Sequence, residues 1–422
     1  MQTNQPGETF SPGIAFFRSM NVLAILALPF LAALPVDRAD SVTFSLFSLF
    51  KPEALEVRLA AGDNAIVDAA GLTANRSITR GESIKIRVSG SRLNMVVSSS
   101  NGSINNSLET GRVRIEPDTS ARLELILPGK IKRIVRGTLE IDTGSGGRGP
   151  LRILLITDRE SAVASVVGAE TVRRETAALM AIAVVVRTFM HSHTGRHSSE
   201  GFDFCDTTHC QLYRGEQDLS DRVGSPAVWR AVADTSGQVL RFEGRPVEGY
   251  YTAACGGLSV TPSMVWGGVT NYRYTRIACG WCERSRFSRW QRAARANDIL
   301  DSLSGFLKTK VSPATVLITK ADPESGFVQS VSVRDGDRSI VLSPDSFRRA
   351  IGLRLGWNTV LSPTFTVERR GSRFIFRGRG FGSQVGLCEE GAIAQASAGR
   401  GYREILSFYY PGAEIVDRTS NE

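Results

Sequence analysis

Residues 175–190 read ETAALMAIAVVVRTFM, and this run constrains the fold more than any other. Leu179, Ile182, Ala183, Val186 and Met190 recur at helical spacing. The remaining positions are nearly as apolar, so the pattern predicts a helix buried on most sides. Such a helix needs neighbours all round. A chain of 422 residues can supply them as one large domain or two to three ordinary ones. Arg187 is the one strong charge inside the run and needs a partner, with Glu170, Asp206 or a buried carbonyl as candidates.

The neighbours are readable on both sides. Residues 41–150 consist of alternating or β-branched segments such as LEVRLAAG, SIKIRVSG and ARLELILPG, separated by Gly, Asn, Asp and Pro. They predict a β-rich N-terminal region. The sheet either ends at the turn GSGGRGP or continues into LRILLITD. Beyond residue 215, helices are expected at 226–233, 290–307 and 400–410, the last stopped by Pro411-Gly412. A hairpin is expected around Glu243–Gly244, and strands over 315–361. Among those strands a short helix should start at Ser343-Pro344 and close at Gly352. The fold class is therefore α+β, with helices inserted between antiparallel strands. The expected divisions are 1–40, 41–150, a core domain at 151–415, and a tail at 416–422.

Residues 20–36 (MNVLAILALPFLAALPV) are apolar except for Asn21, with Arg18 just upstream. This predicts a signal peptide or a short membrane anchor, and so a protein exported to the cell envelope or periplasm. Membrane contact is expected through this segment alone. The formal net charge is +9, which suits nucleic acid, acidic lipid or an anionic wall polymer. Export disfavours nucleic acid. The basic, aromatic run ERRGSRFIFRGRGFG alternates as a strand does, so no nucleic-acid partner is expected. Outside the cytosol the six cysteines either pair as disulfides or bind metal. Cys279-Gly-Trp-Cys282 has redox-dithiol spacing without the βαβ setting. It is read as part of a structural disulfide, with Cys255 as a candidate partner.

All four histidines fall between His191 and His209, with Cys205 and Cys210 in or beside that window. His and Cys together form a zinc donor set. Cys205, Cys210 and His197 are the favoured ligands, with His209 as the fourth. His191 and His193, at the helix end, are weaker candidates. The competing reading is a solvated loop with a Cys205–Cys210 disulfide.

The segment FDFCDTTHCQLYRG at 202–215 closely resembles the signature of the stage II sporulation protein D/LytB family. Four further blocks agree in order. The apolar helix is similar to the family's helix ending in Ala-Arg-Thr-Tyr. AVADTSGQVLRFEGRPVEGYYTAACGG at 231–257 is similar to its hairpin and Gly-Gly turn. GRGFGSQVGLCEEGA at 378–392 and YREILSFYYPGAEI at 402–415 are similar to its C-terminal blocks. The resemblance implies action on peptidoglycan. In one branch this is lytic transglycosylation of glycan strands stripped of peptides, with a glutamate before the helix as the acid. Glu170 stands at that position. In the other branch the family member modifies a cell-wall amidase. A zinc ion beside the Cys-Asp-Thr-Thr-His-Cys motif is also implied. The family's Gly-His-Gly-Val-Gly-Met-Ser-Gln reads Gly-Ser-Gln-Val-Gly-Leu-Cys-Glu here. Ser383 replaces the histidine, Glu389 replaces the glutamine, and Glu170 lacks the following Met-Pro.

A lytic transglycosylase needs one carboxyl group, because the sugar's own C6 hydroxyl replaces the second carboxylate of an ordinary glycosidase. Glu170 would serve if its pKa were raised. As a residue preceding the apolar helix it would feel a dipole favouring the charged form. Arg173 and Arg174 would act the same way, so burial against apolar walls would have to outweigh both. The candidate substrate-binding residues are Arg187, Gln211, Tyr250, Tyr251, Ser383 and Gln384, each with packing as its competing role. Gly256 and Gly257 are expected in a turn needing positive φ.

Overall fold

The computed structural model of the protein describes residues 40–72, 75–144, 147, 149–171, 175–216 and 226–418. The apolar N-terminal run, Arg173 and Arg174 lie outside them. Residues 35–422 group as one compact unit. The class is mixed α+β, with mostly antiparallel sheets and eight α-helices among the described residues. None of these helices is long and apolar enough to cross a membrane.

The β-rich region builds two sheets. Seven strands run in the order Phe204–Cys205, Ser41–Leu46, Arg152–Asp158, Thr138–Asp142, Val113–Pro117, Asn64–Ala69 and Arg76–Thr79. Six more form the second sheet, ending at Ile131–Val135 and Ile104–Thr110. Alternation sets their faces. In Arg122–Leu127, for example, Leu123, Leu125 and Leu127 are buried while the residues between are half-buried. Strand Arg152–Asp158 lies between Ser41–Leu46 and Thr138–Asp142. The first sheet therefore continues across residue 150. The short strand Phe204–Cys205 pairs in parallel with Ser41–Leu46 at its edge.

Helices α1 (Arg159–Glu170), α2 (Thr176–Ser192) and α3 (Pro226–Asp234) follow. α1 went unrecognised in the sequence. Its N-cap is Asp158, whose Oδ1 accepts from the Ser161 N–H at 2.8 Å. α2 is the predicted central helix, and every residue from Ala181 to Met190 is buried. It packs against α1, α3 and the strand Gln238–Phe242. From the far end of the chain it also meets α7 (Glu389–Ser397) and α8 (Tyr402–Tyr409). The expected hairpin is present: Gln238–Phe242 pairs with Arg245–Pro246 through Glu243 and Gly244, both at positive φ.

Between strands Tyr251–Thr252 and Leu387–Cys388, which pair in parallel, the chain makes an excursion with a second apolar core. It contains α4 (Pro262–Trp266), α5 (Ala296–Leu307), α6 (Pro344–Leu355) and two three-stranded sheets. The basic run at 368–382 lies partly in a hairpin of Phe365–Arg370 and Arg373–Gly378. Two expectations are corrected here. Trp290–Arg295 is a strand, paired with Arg373–Gly378, and only Ala296–Leu307 is helical. Its residues WQRAAR are carried by sheet pairing that a local helical pattern does not reveal. Helix α6 runs past Gly352 to Gly356 (φ 84°). Gly352 is interior, where a Cβ would meet the Trp357 ring at 2.7 Å. Finally, Glu414–Asp417 pairs with Gln238–Phe242, so the first two tail residues belong to a sheet.

Candidate active site and metal centre

Glu170 is the last residue of α1, not a residue at the start of α2. The sign of the helix dipole is therefore opposite to that expected. The negative end of α1 disfavours the ionised carboxylate. Burial pushes the Glu170 carboxyl up to about 7, against the lowering effects of the Tyr251 hydroxyl and the Arg214 charge. The residue as a whole is half-buried, and its carboxyl lies in largely dry surroundings.

Tyr251 Oη lies 3.3 Å from Glu170 Oε1 and 2.7 Å from Gln211 Oε1. A phenol has one proton, so the hydroxyl donates to one of these oxygens at a time. When it donates to Gln211, the contact with Glu170 requires the proton of a neutral Glu170. When Glu170 is ionised, turning the Gln211 amide lets Nε2 donate to Tyr251 and Tyr251 donate to the carboxylate. In its present orientation that Nε2 is buried without a hydrogen-bond partner among the described residues. The three side chains thus form a relay with one arrangement for each protonation state of Glu170.

Glu389 stands at the first position of α7 and is 4% exposed. Burial, then the charges of Glu170 and Glu390, hold its carboxyl well above the usual range. Its Oε1 has no hydrogen-bond partner among the described residues. Two carboxyls that sense each other in one apolar setting do not both ionise easily. The parallel pairing Tyr251↔Leu387 and Thr252↔Cys388 brings Glu389 to this place. Gly386 permits the approach. Its φ is 73°, and any Cβ there would collide with the Tyr250 carbonyl. Gly256 and Gly257 also have positive φ, as expected.

His197, Cys205, His209 and Cys210 converge. Each offers a ligand atom, and all four atoms lie within 4.8 Å of one another. His197 Nε2 is 3.2 Å from Cys210 Sγ, and His209 Nδ1 lies 3.6 Å from Cys205 Sγ and 3.5 Å from Cys210 Sγ. His197 Nδ1 faces Glu200 Oε1 at 2.6 Å, which leaves Nε2 free as the donor atom toward the cluster. The two thiols ionise unequally, Cys210 being pushed up as Cys205 is pushed down. Cys205 is held low, to about 4, by hydrogen bonds from the Cys210 thiol and Thr207 despite burial. Two imidazoles and two sulfurs at this separation fit a tetrahedral zinc. His193 instead stacks on Phe189 at 4.2 Å, and burial lowers its pKa to about 4. Gln211 follows Cys210 directly, so the loop carrying the ligands also carries the outer end of the relay.

Several candidate residues stand elsewhere. Arg187 is fully buried and pairs in bidentate fashion with Glu160, at 2.7 and 2.6 Å. It also donates to the carbonyls of Gln238 and Val232. Its partner is therefore neither Glu170 nor Asp206, and no substrate reaches it. Asp206 pairs with Arg133 at 2.6 Å and accepts from the Phe47 N–H at 2.9 Å. Gln384 is 1% exposed and spends its amide on Thr364 Oγ1 and the Cys255 carbonyl, at 2.7 and 2.6 Å. It holds the loop in shape. Tyr250, next to Tyr251, lies in a different setting, packed among Phe189, His193, Trp266 and Tyr274. Ser383 is half-buried, and its hydroxyl accepts from the Val385 N–H. The six cysteines are all free thiols. The expected disulfide involving Cys279, Cys282 and Cys255 is replaced by a buried group of four, Cys255, Cys279, Cys282 and Cys388.

Residues 151–242, which hold Glu170, α2 and the ligand loop, match the SpoIID family model, described as Stage II sporulation protein. Over that segment the chain is similar to the SpoIID family. An uncharacterized protein of Brachyspira hyodysenteriae is 29% identical over 241 residues, 57% of this chain and 61% of that protein. Stage II sporulation protein D of Bacillus subtilis is 26% identical over 250 residues, covering 57% and 68%. The amidase enhancer of the same organism is 26% identical over 279 residues, 57% of this chain and 38% of its own length. The chain thus spans about three fifths of the first of these relatives and well under half of the third. Two of these relatives are named for sporulation and for enhancing an amidase.

Proposed function

We propose that the protein is exported to the cell envelope and remodels peptidoglycan as a lytic transglycosylase, with Glu170 as its acid and base. The observation that carries this reading is the Glu170 carboxyl, held protonated to about pH 7 at the end of α1 and tied to a proton relay. In the first half-reaction Glu170 gives its proton to the glycosidic oxygen as the bond breaks. In the second, the carboxylate takes the proton of the sugar's C6 hydroxyl as that oxygen attacks the anomeric carbon, which closes a 1,6-anhydro ring and restores the acid. Tyr251 and Gln211 follow each change of charge by reversing their hydrogen bonds. Glu389, whose carboxyl is held well above the usual range by burial and by the charges of Glu170 and Glu390, senses the same site. Substrate would be glycan strands freed of peptides.

His197, Cys205, His209 and Cys210 would hold zinc. The ion would supply a cross-link that fixes the loop leading to Gln211. No proton transfer passes through it.

A second reading has its own support. Ser383 replaces the histidine expected in the C-terminal glycine block, and one relative is named an amidase enhancer. On that reading the domain binds the wall, or a cell-wall amidase, without cutting glycan. Purified protein and Glu170→Gln, each incubated with peptide-free glycan strands, separate the two. The first reading expects 1,6-anhydro ends by mass spectrometry from wild type alone. Intact strands with both proteins would leave the binding reading.

A further inference from the structure

We infer that Cys255, Cys279, Cys282 and Cys388 form a second metal site, a buried tetrathiolate that holds one zinc ion at the root of the excursion. Their four sulfurs lie within 4.8 Å of one another, and each residue is 0–1% exposed. Cys388 ends the strand Leu387–Cys388 that closes the excursion, and Cys255 lies three residues after its parallel partner, Tyr251–Thr252. Cys279 and Cys282 come from a single turn of 3₁₀ helix, Gly280–Cys282 and its N-cap. That turn is held against the Gly257–Ser259 segment by the Cys279 N–H to the Gly257 carbonyl (2.8 Å) and the Ser259 N–H to the Ile277 carbonyl (2.9 Å). Three separate stretches of chain therefore deliver four sulfurs to one point.

The spacing fits a single ion. A zinc–sulfur bond of about 2.3 Å places tetrahedral sulfurs about 3.8 Å apart. The Cys255 and Cys282 sulfurs are 3.6 Å apart. An iron–sulfur cluster distributes its thiolates over several irons and would hold them further apart. Disulfides need only two sulfurs to meet, at about 2.05 Å, and do not require all four to converge.

Polar groups are directed at two of the four sulfurs. The Cys255 N–H points at Cys388 Sγ (3.3 Å), and Tyr409 Oη lies 3.2 Å from Cys279 Sγ. Cys388 is the N-cap of α7, whose positive end favours a thiolate. Gly391 leaves room, since a Cβ there would stand 2.9 Å from Cys279 Sγ. Polar hydrogens directed at sulfur are the usual outer environment of a metal thiolate. Without an ion this is a pocket of four thiols that could oxidise in an exported protein. With one it is a rigid joint, one residue before Glu389.

The test uses the full chain purified in zinc and measured for zinc by elemental analysis, with cobalt replacement as a second readout. Two zinc ions per chain are expected, one lost in Cys279→Ser/Cys282→Ser and the other in Cys205→Ser/Cys210→Ser. If the His-Cys site fails while this one stands, wild type carries one zinc that survives Cys205→Ser/Cys210→Ser. Cobalt loaded into Cys205→Ser/Cys210→Ser should give the intense charge-transfer and red-shifted ligand-field bands of four sulfurs. Should the Cys279→Ser/Cys282→Ser chain not fold, that cobalt spectrum decides alone. Disulfides among the four cysteines in non-reducing peptide maps of the zinc-purified protein would overturn the site. So would zinc content unchanged by Cys279→Ser/Cys282→Ser, or a cobalt spectrum without tetrathiolate bands.

Discussion

On the proposed reading, Glu170 sets the chemistry at the scale of single residues, and its environment makes opposite demands on activity and stability. The native carboxyl keeps its proton to about pH 7, whereas its ordinary pKa is 4.5. Between those values the folded state binds more protons than the unfolded one, so stability falls as pH rises across that window. Glu170→Gln removes the titrating group. It should unfold with wild-type stability at pH 4 and gain up to roughly 3 kcal/mol above pH 7. Denaturant melts at both pH values measure this. Activity should fall over the same window. The rate of anhydro-product formation should decline as pH rises through about 7 and vanish in Glu170→Gln. Glu389 makes a contrasting prediction. Burial and neighbouring carboxylates hold its carboxyl well above the usual range, and glutamine has the same shape without the ability to ionise. Glu389→Gln should therefore keep activity within a few-fold and leave the alkaline limb of the pH profile in place. A limb displaced by a full unit would show that Glu389 shares the charge.

At the scale of elements, the site depends on how segments end and where they are pinned. α1 ends at Glu170, and that ending reverses the dipole argument made from the sequence. The pattern of α2 was plain, because twelve of its residues are buried and few alternatives suit so apolar a run. α1 was hidden, because RESAVASVVGAE mixes small and β-branched residues that match strand templates as well as helical ones. Arg187 shows the same limit. The sequence demanded a partner but could not choose one, and the choice, Glu160, is a residue on the helix that went unseen. Arg187→Ala would strand Glu160 and two carbonyls, at a cost of about 3 kcal/mol or more. Thermal or denaturant unfolding reads that loss, and glycan binding by the fraction still folded should be unaffected. Gly386 joins the strand Leu387–Cys388 to the relay. Gly386→Ala meets both a forbidden φ and the Tyr250 carbonyl. It should cost at least about 2 kcal/mol and lower kcat through displacement of Tyr251, which follows Tyr250 and pairs with Leu387.

At the scale of the whole molecule, a central helix is surrounded by parts of the chain remote in sequence. Two sheets come before it, and α7 and α8 return to it after the excursion with its own core. Two groups of metal-ligand side chains lie where such remote parts meet. One joins the edge of the large sheet to the ligand loop, and the other closes the root of the excursion. Stripping both ions with a chelator should lower the thermal midpoint by on the order of 10 °C. Readdition of zinc should restore it, as followed by circular dichroism.

The sequence by itself determined the α+β class, the buried helix and the hairpin. It also singled out the His-Cys ligand candidates and the family, because short-range periodicity, turn chemistry and close spacing carry those signals. Tertiary structure alone decided the rest. It put Glu170 at the negative end of a helix and set Tyr251 between Glu170 and Gln211. It withdrew Arg187 and Gln384 into structural roles, and it gathered four cysteines spread over more than a hundred residues. A pKa, a relay and a four-sulfur cage all depend on which groups face each other across the fold, and no local pattern encodes that pairing.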